Sequence, residues 1–131
     1  MNYLTRMIGI WYHDRKWAEN VFDAIIKGIP EKAILRIRKF MPEMTVVFTD
    51  ESILRMVCAN TTARGCRFNE VYIQDGIRKE IYEQIISPCV LPNCSMERVI
   101  RNEEDIVRGG TLAKEYYYHN TLNEIVQSKM D

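Results

Sequence analysis

The chain has 131 residues, with 18 Lys+Arg against 18 Asp+Glu, so its formal net charge is zero. A chain of this length fits one domain that folds without disulfides or metal, and its 47% hydrophobic and 27% charged content excludes wholesale disorder. Zero net charge excludes strong non-specific attraction to nucleic acid or anionic lipid and excludes a polyanionic mimic, while leaving a local basic patch open.

The first run, MNYLTRMIGIWYHDRK, is too short and lacks the small-residue site of a signal peptide. No segment approaches the roughly 20 apolar residues of a bilayer span, so a cytoplasmic protein with no membrane contact is expected. Residues 6–12 (RMIGIWY) read as a buried strand. Asp14 caps a following helix, where Trp17, Val21, Phe22, Ile25 and Ile26 recur at helical spacing until Gly28 and Pro30 stop it. In KAILRIRKFM, Ala33, Leu35 and Ile37 oppose Ile34, Arg36 and Arg38, which fits a strand with one partly polar face. MTVVFT (44–49) is a β-branched strand, and Asp50-Glu51-Ser52 is turn chemistry. SILRMVCA (52–59) sets Ile53, Arg55 and Val57 against Leu54, Met56 and Cys58, and pairs back as a hairpin; a helix is the rival reading.

Residues 60–69 form a polar loop, and EVYIQDG (70–76) is a buried strand meeting a loop. Ile77, Ile81, Ile85 and Ile86 predict a helix over 77–88 that Pro88 ends. Ser95 is expected to cap a helix over MERVIRNEEDIV, and Thr111 a last helix striped by Leu112, Tyr116, Leu122, Ile125 and Val126. The resulting expectation is a single α/β domain, with an α/β core over 6–95 and a helical tail over 96–131.

Several chemistries lack their residues. There is no phosphate loop, no Gly-x-Gly-x-x-Gly turn and no nucleophile elbow. The two histidines, His13 and His119, lie near opposite ends and build no catalytic set. Cys58, Cys66, Cys89 and Cys94 are separated by seven, twenty-two and four residues, with no Cys-x-x-Cys pair, so small buried thiols are the better reading than a zinc site. No catalytic residue, metal or cofactor is assigned.

The candidates are therefore binding residues. Arg64 and Arg67 carry the planar forks that grip phosphate, or else bridge to local carboxylates. Gln74 and Asp75 offer hydrogen bonds to ribose or base edges, or are an ordinary strand end. Arg36, Arg38 and Lys39 form a small basic cluster that suits phosphate, or a solvated strand face. Tyr116, Tyr117 and Tyr118 stack on bases, pack within the chain or form an oligomer interface. On a helix, three consecutive tyrosines point in three directions, so at most two serve one face. Trp11 and Trp17 read as core.

The stretch 45–86 resembles the middle of the P-loop ATPase core of phage terminase large subunits. The matching residues are Phe48, Ser52, Ile53, Ala59, Asn60, Ala63-Arg64-Gly65, Arg67, Asn69 and the strand Val71–Ile73. The preceding MIGIWYHDRKWAENVFDAIIKGI looks like the strand and helix that follow the family's phosphate loop, so the resemblance covers roughly residues 6–87. It implies a truncated P-loop-like central sheet flanked by helices, and a phage or prophage protein in the host cytoplasm. The family's Mg²⁺-organising Asp falls on Gln74, and its water-orienting Glu falls on Asp75. A neutral amide is a poor anchor for a hard cation, so the resemblance implies a fold without ATP hydrolysis. The expected function is a non-enzymatic binding protein, a homo-oligomer that holds a host protein or a small nucleotide near Arg64, Arg67, Gln74 and Asp75. The alternative is an accessory nucleic-acid-binding factor in phage DNA packaging or replication.

Overall fold

The computed structural model describes residues 5–40, 43–60 and 67–130. Seven strands form one mixed sheet: β1 (Met7–Tyr12), β2 (Ile34–Phe40), β3 (Glu43–Phe48), β4 (Ile53–Cys58), β5 (Glu70–Gln74), β6 (Met96–Ile100) and β7 (Thr111–Leu112). Their order is β2-β3-β4-β1-β5-β6-β7. The four central strands run parallel, while the β2–β3 hairpin and β7 pair antiparallel at the two ends. Central parallel strands are covered on both faces, which is why β1 and β5 are near-continuous apolar runs.

Helix α1 (Arg15–Lys27) lies on one face. It buries Ala18, Val21 and Phe22 against Ile8, Ile10, Tyr12, Met44, Val46 and Leu54. The other face carries Trp11, Phe68, Val71, Ile73 and Val99 under the segment 77–89 and the first turns of α4 (Ala113–Met130). The segment expected as one helix over 77–88 is a short α2 (Lys79–Ile81), a wide turn (Tyr82–Ile86) and a tight turn (Ser87–Cys89). A hydrogen bond from the Ser52 amide to Asp50 Oδ1 (2.9 Å) and a left-handed Glu51 (φ 74°) close the β3–β4 hairpin, so the strand reading of 52–59 holds over its helical rival.

Two expectations are corrected. Residues 96–100 are strand rather than helix, so the sheet continues past residue 95. In MERVI, Val99 is buried on one face and Ile100 on the other, and the strand lies parallel to β5 from Glu70↔Met96 to Gln74↔Ile100. This long-range pairing overrides a local pattern that also suits a helix. The Ser95 amide extends the ladder by donating to the Asn69 carbonyl (2.8 Å) instead of beginning a helix. The helix there is only α3 (Glu104–Arg108). The second correction concerns the last helix. Among its described side chains Ala113 and Tyr117 are buried and Tyr116 packs half-buried against the core, whereas Leu112, Ile125 and Val126 of the expected stripe are exposed; the Leu122 side chain lies outside the described ones. Among the described residues, no helix is long and apolar enough to cross a membrane.

Candidate functional site

Two regions of the sheet gather polar side chains. The first is its C-terminal edge. From β1 the chain places β4 on one side and β5 on the other, so the order reverses between β1 and β5, where open α/β sheets commonly hold ligands. The turn after β1 is closed upon itself. Gln74 Oε1 accepts from the amides of His13 (2.9 Å) and Asp14 (3.2 Å). Asp14 Oδ1 accepts from the amides of Lys16 (3.0 Å) and Trp17 (3.3 Å). The donors that an α-helix start offers to a phosphate are thus used within the chain. Gln74 is a clamp on this turn.

Asp75 lies beside it. Its carbonyl oxygen is 3.1 Å from His13 Nε2, and its Oδ1 accepts from the Tyr116 hydroxyl at 2.7 Å. That bond, with partial burial and the nearby negative charge, raises the Tyr116 pKa. Gly76 has φ +99° and a Cβ there would lie 3.0 Å from the His13 ring, so the turn requires glycine. An open cavity of about 500 Å³ next to Asp75 is lined also by Arg101, Asp105, Thr111 and Tyr116. Asp105 Oδ2 accepts from the Arg101 amide at 2.8 Å, and Trp17 Nε1 donates to the Arg101 carbonyl at 2.7 Å. Carboxylates and a phenol dominate this edge, which suits hydroxyl groups better than phosphate.

The second region is the face of the β2–β3–β4 hairpin sheet opposite α1. Register fixes its composition. Arg36 pairs with Val47, which pairs with Ile53; Arg38 pairs with Thr45, which pairs with Arg55. These six residues line an open depression of about 370 Å³. None of the described lining residues carries a carboxylate. Strand alternation puts Phe40 on the same side as Arg36 and Arg38, and its ring is 61% exposed.

The predicted residues therefore separate. Arg64 lies outside the described residues, as does Cys66. Arg67 is exposed and precedes β5, whereas Asp75 follows it, so the length of the five-residue strand, roughly 16 Å, sets them at opposite ends of the parallel strands. The structure does not bring Arg67 to Gln74 and Asp75. Tyr117 is buried, packs at a tilt against Tyr82 (centroids 4.8 Å, 57°) and donates its hydroxyl to the Ile77 carbonyl, so it packs within the chain. Tyr116 is committed to Asp75, and Tyr118 is exposed beside His119. Trp11 is fully buried. Cys89 is buried, with Cys58 and Cys94 half-buried.

Away from both regions, a half-buried ion pair ties the start of β1 to β5. Burial alone would raise the Glu70 carboxyl pKa, but two hydrogen bonds from Arg6 (both 2.8 Å) and one from the Tyr72 hydroxyl (2.6 Å) hold it below the ordinary value.

Sequence reasoning missed Arg55 and Phe40 as members of the basic face. The alternation in each strand marks their sides, but only the hairpin register joins them. No protein-family model, no curated protein and no solved structure matches this chain.

Proposed function

We propose that this chain is a non-enzymatic binding protein for phosphate-bearing ligands, held on the open face of the β2–β3–β4 hairpin sheet. The observation that carries the reading is the gathering of Arg36, Arg38 and Arg55 around one depression. Arginine offers planar, permanently charged forks matched to phosphate oxygens. The C-terminal edge supports the non-enzymatic part. Gln74, at the position where the terminase resemblance places a Mg²⁺-organising Asp, is 7% exposed and spends its carbonyl on two backbone amides.

The resemblance belongs to this reading. The turn at Asp50–Ser52 between paired strands and the buried strand Val71–Ile73 support it. In that reading the chain is a phage-type relative that keeps the sheet and has given up the nucleotide chemistry.

The test is titration with ATP and with inorganic tripolyphosphate. Both are expected to bind in a salt-sensitive way, and Arg→Gln at 36, 38 or 55 to weaken each by about 2- to 10-fold. Unchanged affinity in the triple variant would reject the site. Release of phosphate from ATP in Mg²⁺ by the purified chain would reject the non-enzymatic reading.

A further inference from the structure

We infer that the hairpin face is a platform for single-stranded nucleic acid, which rests on the phosphate-binding reading above and narrows its ligand class. Three observations lead there. First, the arginines are spread across the surface. Arg36 and Arg38 are two residues apart along β2, about 7 Å, and Arg55 lies across β3, two strand spacings or about 10 Å from β2. Backbones so placed suit a run of phosphates, each meeting its own guanidinium.

Second, the face carries an exposed aromatic residue. Phe40 is on the arginine side of β2, and 61% of it faces solvent. Phe40 pairs in register with Glu43 and stands two residues beyond Arg38, at the end of the arginine row, where an exposed ring offers a base its π-face. Third, between the arginines lie Thr45, Val47 and Ile53, an uncharged floor on which sugars and bases rest without losing hydrogen bonds. Charge for the backbone and a flat ring for the bases is the pairing that sequence-tolerant single-strand binders use. A duplex has its bases stacked away and makes no use of the ring. An acidic peptide satisfies the arginines but not the ring.

The zero net charge of the whole chain fits a ligand held by one local face. Contacts to about three phosphates predict a log–log salt slope near −2, which is about a 20-fold loss of affinity between 50 and 200 mM salt.

The experiment is fluorescence anisotropy of the full chain with labelled oligo(dT), an abasic oligonucleotide of equal length, the corresponding duplex and poly-glutamate, over a salt series. Oligo(dT) is expected to bind tightest. Phe40→Ala should weaken it roughly 5- to 150-fold, to the level of the abasic strand, with the salt slope unchanged. Combined Arg36→Gln, Arg38→Gln and Arg55→Gln should flatten the slope, and the matching Arg→Lys variant should retain most of it. Circular dichroism checks that each variant is folded. If the arginine variant loses ATP and tripolyphosphate while oligo(dT) and the abasic strand bind wild type equally, the single-strand inference fails and the phosphate reading stands. Tighter binding of the duplex or of poly-glutamate also overturns the inference. An arginine variant that binds every probe as wild type does overturns both.

Discussion

Replacing Gln74 by Ala tests whether this side chain holds the β1–α1 turn. The amide is 7% exposed, and its carbonyl accepts two backbone N–H groups at 2.9 and 3.2 Å. Alanine leaves both donors without that acceptor. A net contribution of about 0.5–1.5 kcal/mol for each bond gives about 1–3 kcal/mol. The lost methylene adds about 0.8 kcal/mol of burial. The expected loss is therefore about 2–4 kcal/mol. For a domain of this size each kcal/mol moves Tm by roughly 3–5 °C, so a drop of roughly 6–20 °C is expected. Urea melts followed by far-UV circular dichroism measure the free energy directly. Gln74→Met is the control. It keeps most of the buried volume but removes the acceptor, and should lose about 1–3 kcal/mol. An Ala variant within about 0.5 kcal/mol of wild type would show that water serves the two amides as well, and the clamp would be refuted. A Met variant as stable as wild type would show that the acceptor is not what matters.

Two further outcomes follow from packing and charge. At Gly9 an added Cβ would lie 2.6 Å from the Phe68 ring, which is itself buried edge-on against Trp11 (6.1 Å, 89°), so Gly9→Ala should cost about 1–3 kcal/mol in a urea melt. Adding Phe68→Leu should recover part of the Gly9→Ala loss, and strict additivity of the two would refute the clash. Burial raises the Glu97 carboxyl pKa, with Lys114 opposing it weakly. The folded chain therefore holds that proton more tightly than the unfolded chain, so this residue's contribution is full below the unfolded pKa and is lost as pH rises through the folded one. Glu97→Gln keeps an acceptor for the Tyr82 hydroxyl and should stabilise the fold at pH 7, with the gain vanishing once the pH falls below the ordinary carboxylate range. A gain that does not change with pH would point to packing instead.

The parts of the fold that local chemistry dictates were legible. The Asp14 cap, the apolar stripe through Phe22, and the turn at Asp50-Glu51-Ser52 each declare themselves within a few residues. Strand β6 did not, because MERVIRNEEDIV satisfies a helical spacing and a strand alternation equally. Its conformation is decided by β5, more than twenty residues earlier in the chain. The candidate site divided in the same way. Arg36 and Arg38 were readable as a basic pair on one strand. Arg55 joins them only through the register Arg38–Thr45–Arg55, which no single segment encodes. Arg67 and Asp75, close in sequence, sit at opposite ends of the parallel strands because a strand moves the chain forward with each residue. Gln74 carried a likeness to a metal position, while its neighbours in space, the amides of His13 and Asp14, sixty residues earlier, show what its carbonyl does.

The sheet finishes differently at its two sides. On the β7 side, pairing stops after two residues, too short a ledge for another strand to grip. On the β2 side, seven residues, Ile34–Phe40, form the outermost strand, with Leu35 and Ile37 open to water. Such a border is a template for uncontrolled fibre growth. Arg36 and Arg38 stand along it, while Lys39 is held by Asp23 of α1, and two copies meeting edge to edge would bring the arginines together. The protection is therefore ionic, and it fades when counter-ions crowd in. High salt, which rescues many proteins from sticking, should make this one cluster through β2, and storage at low ionic strength should keep it dispersed.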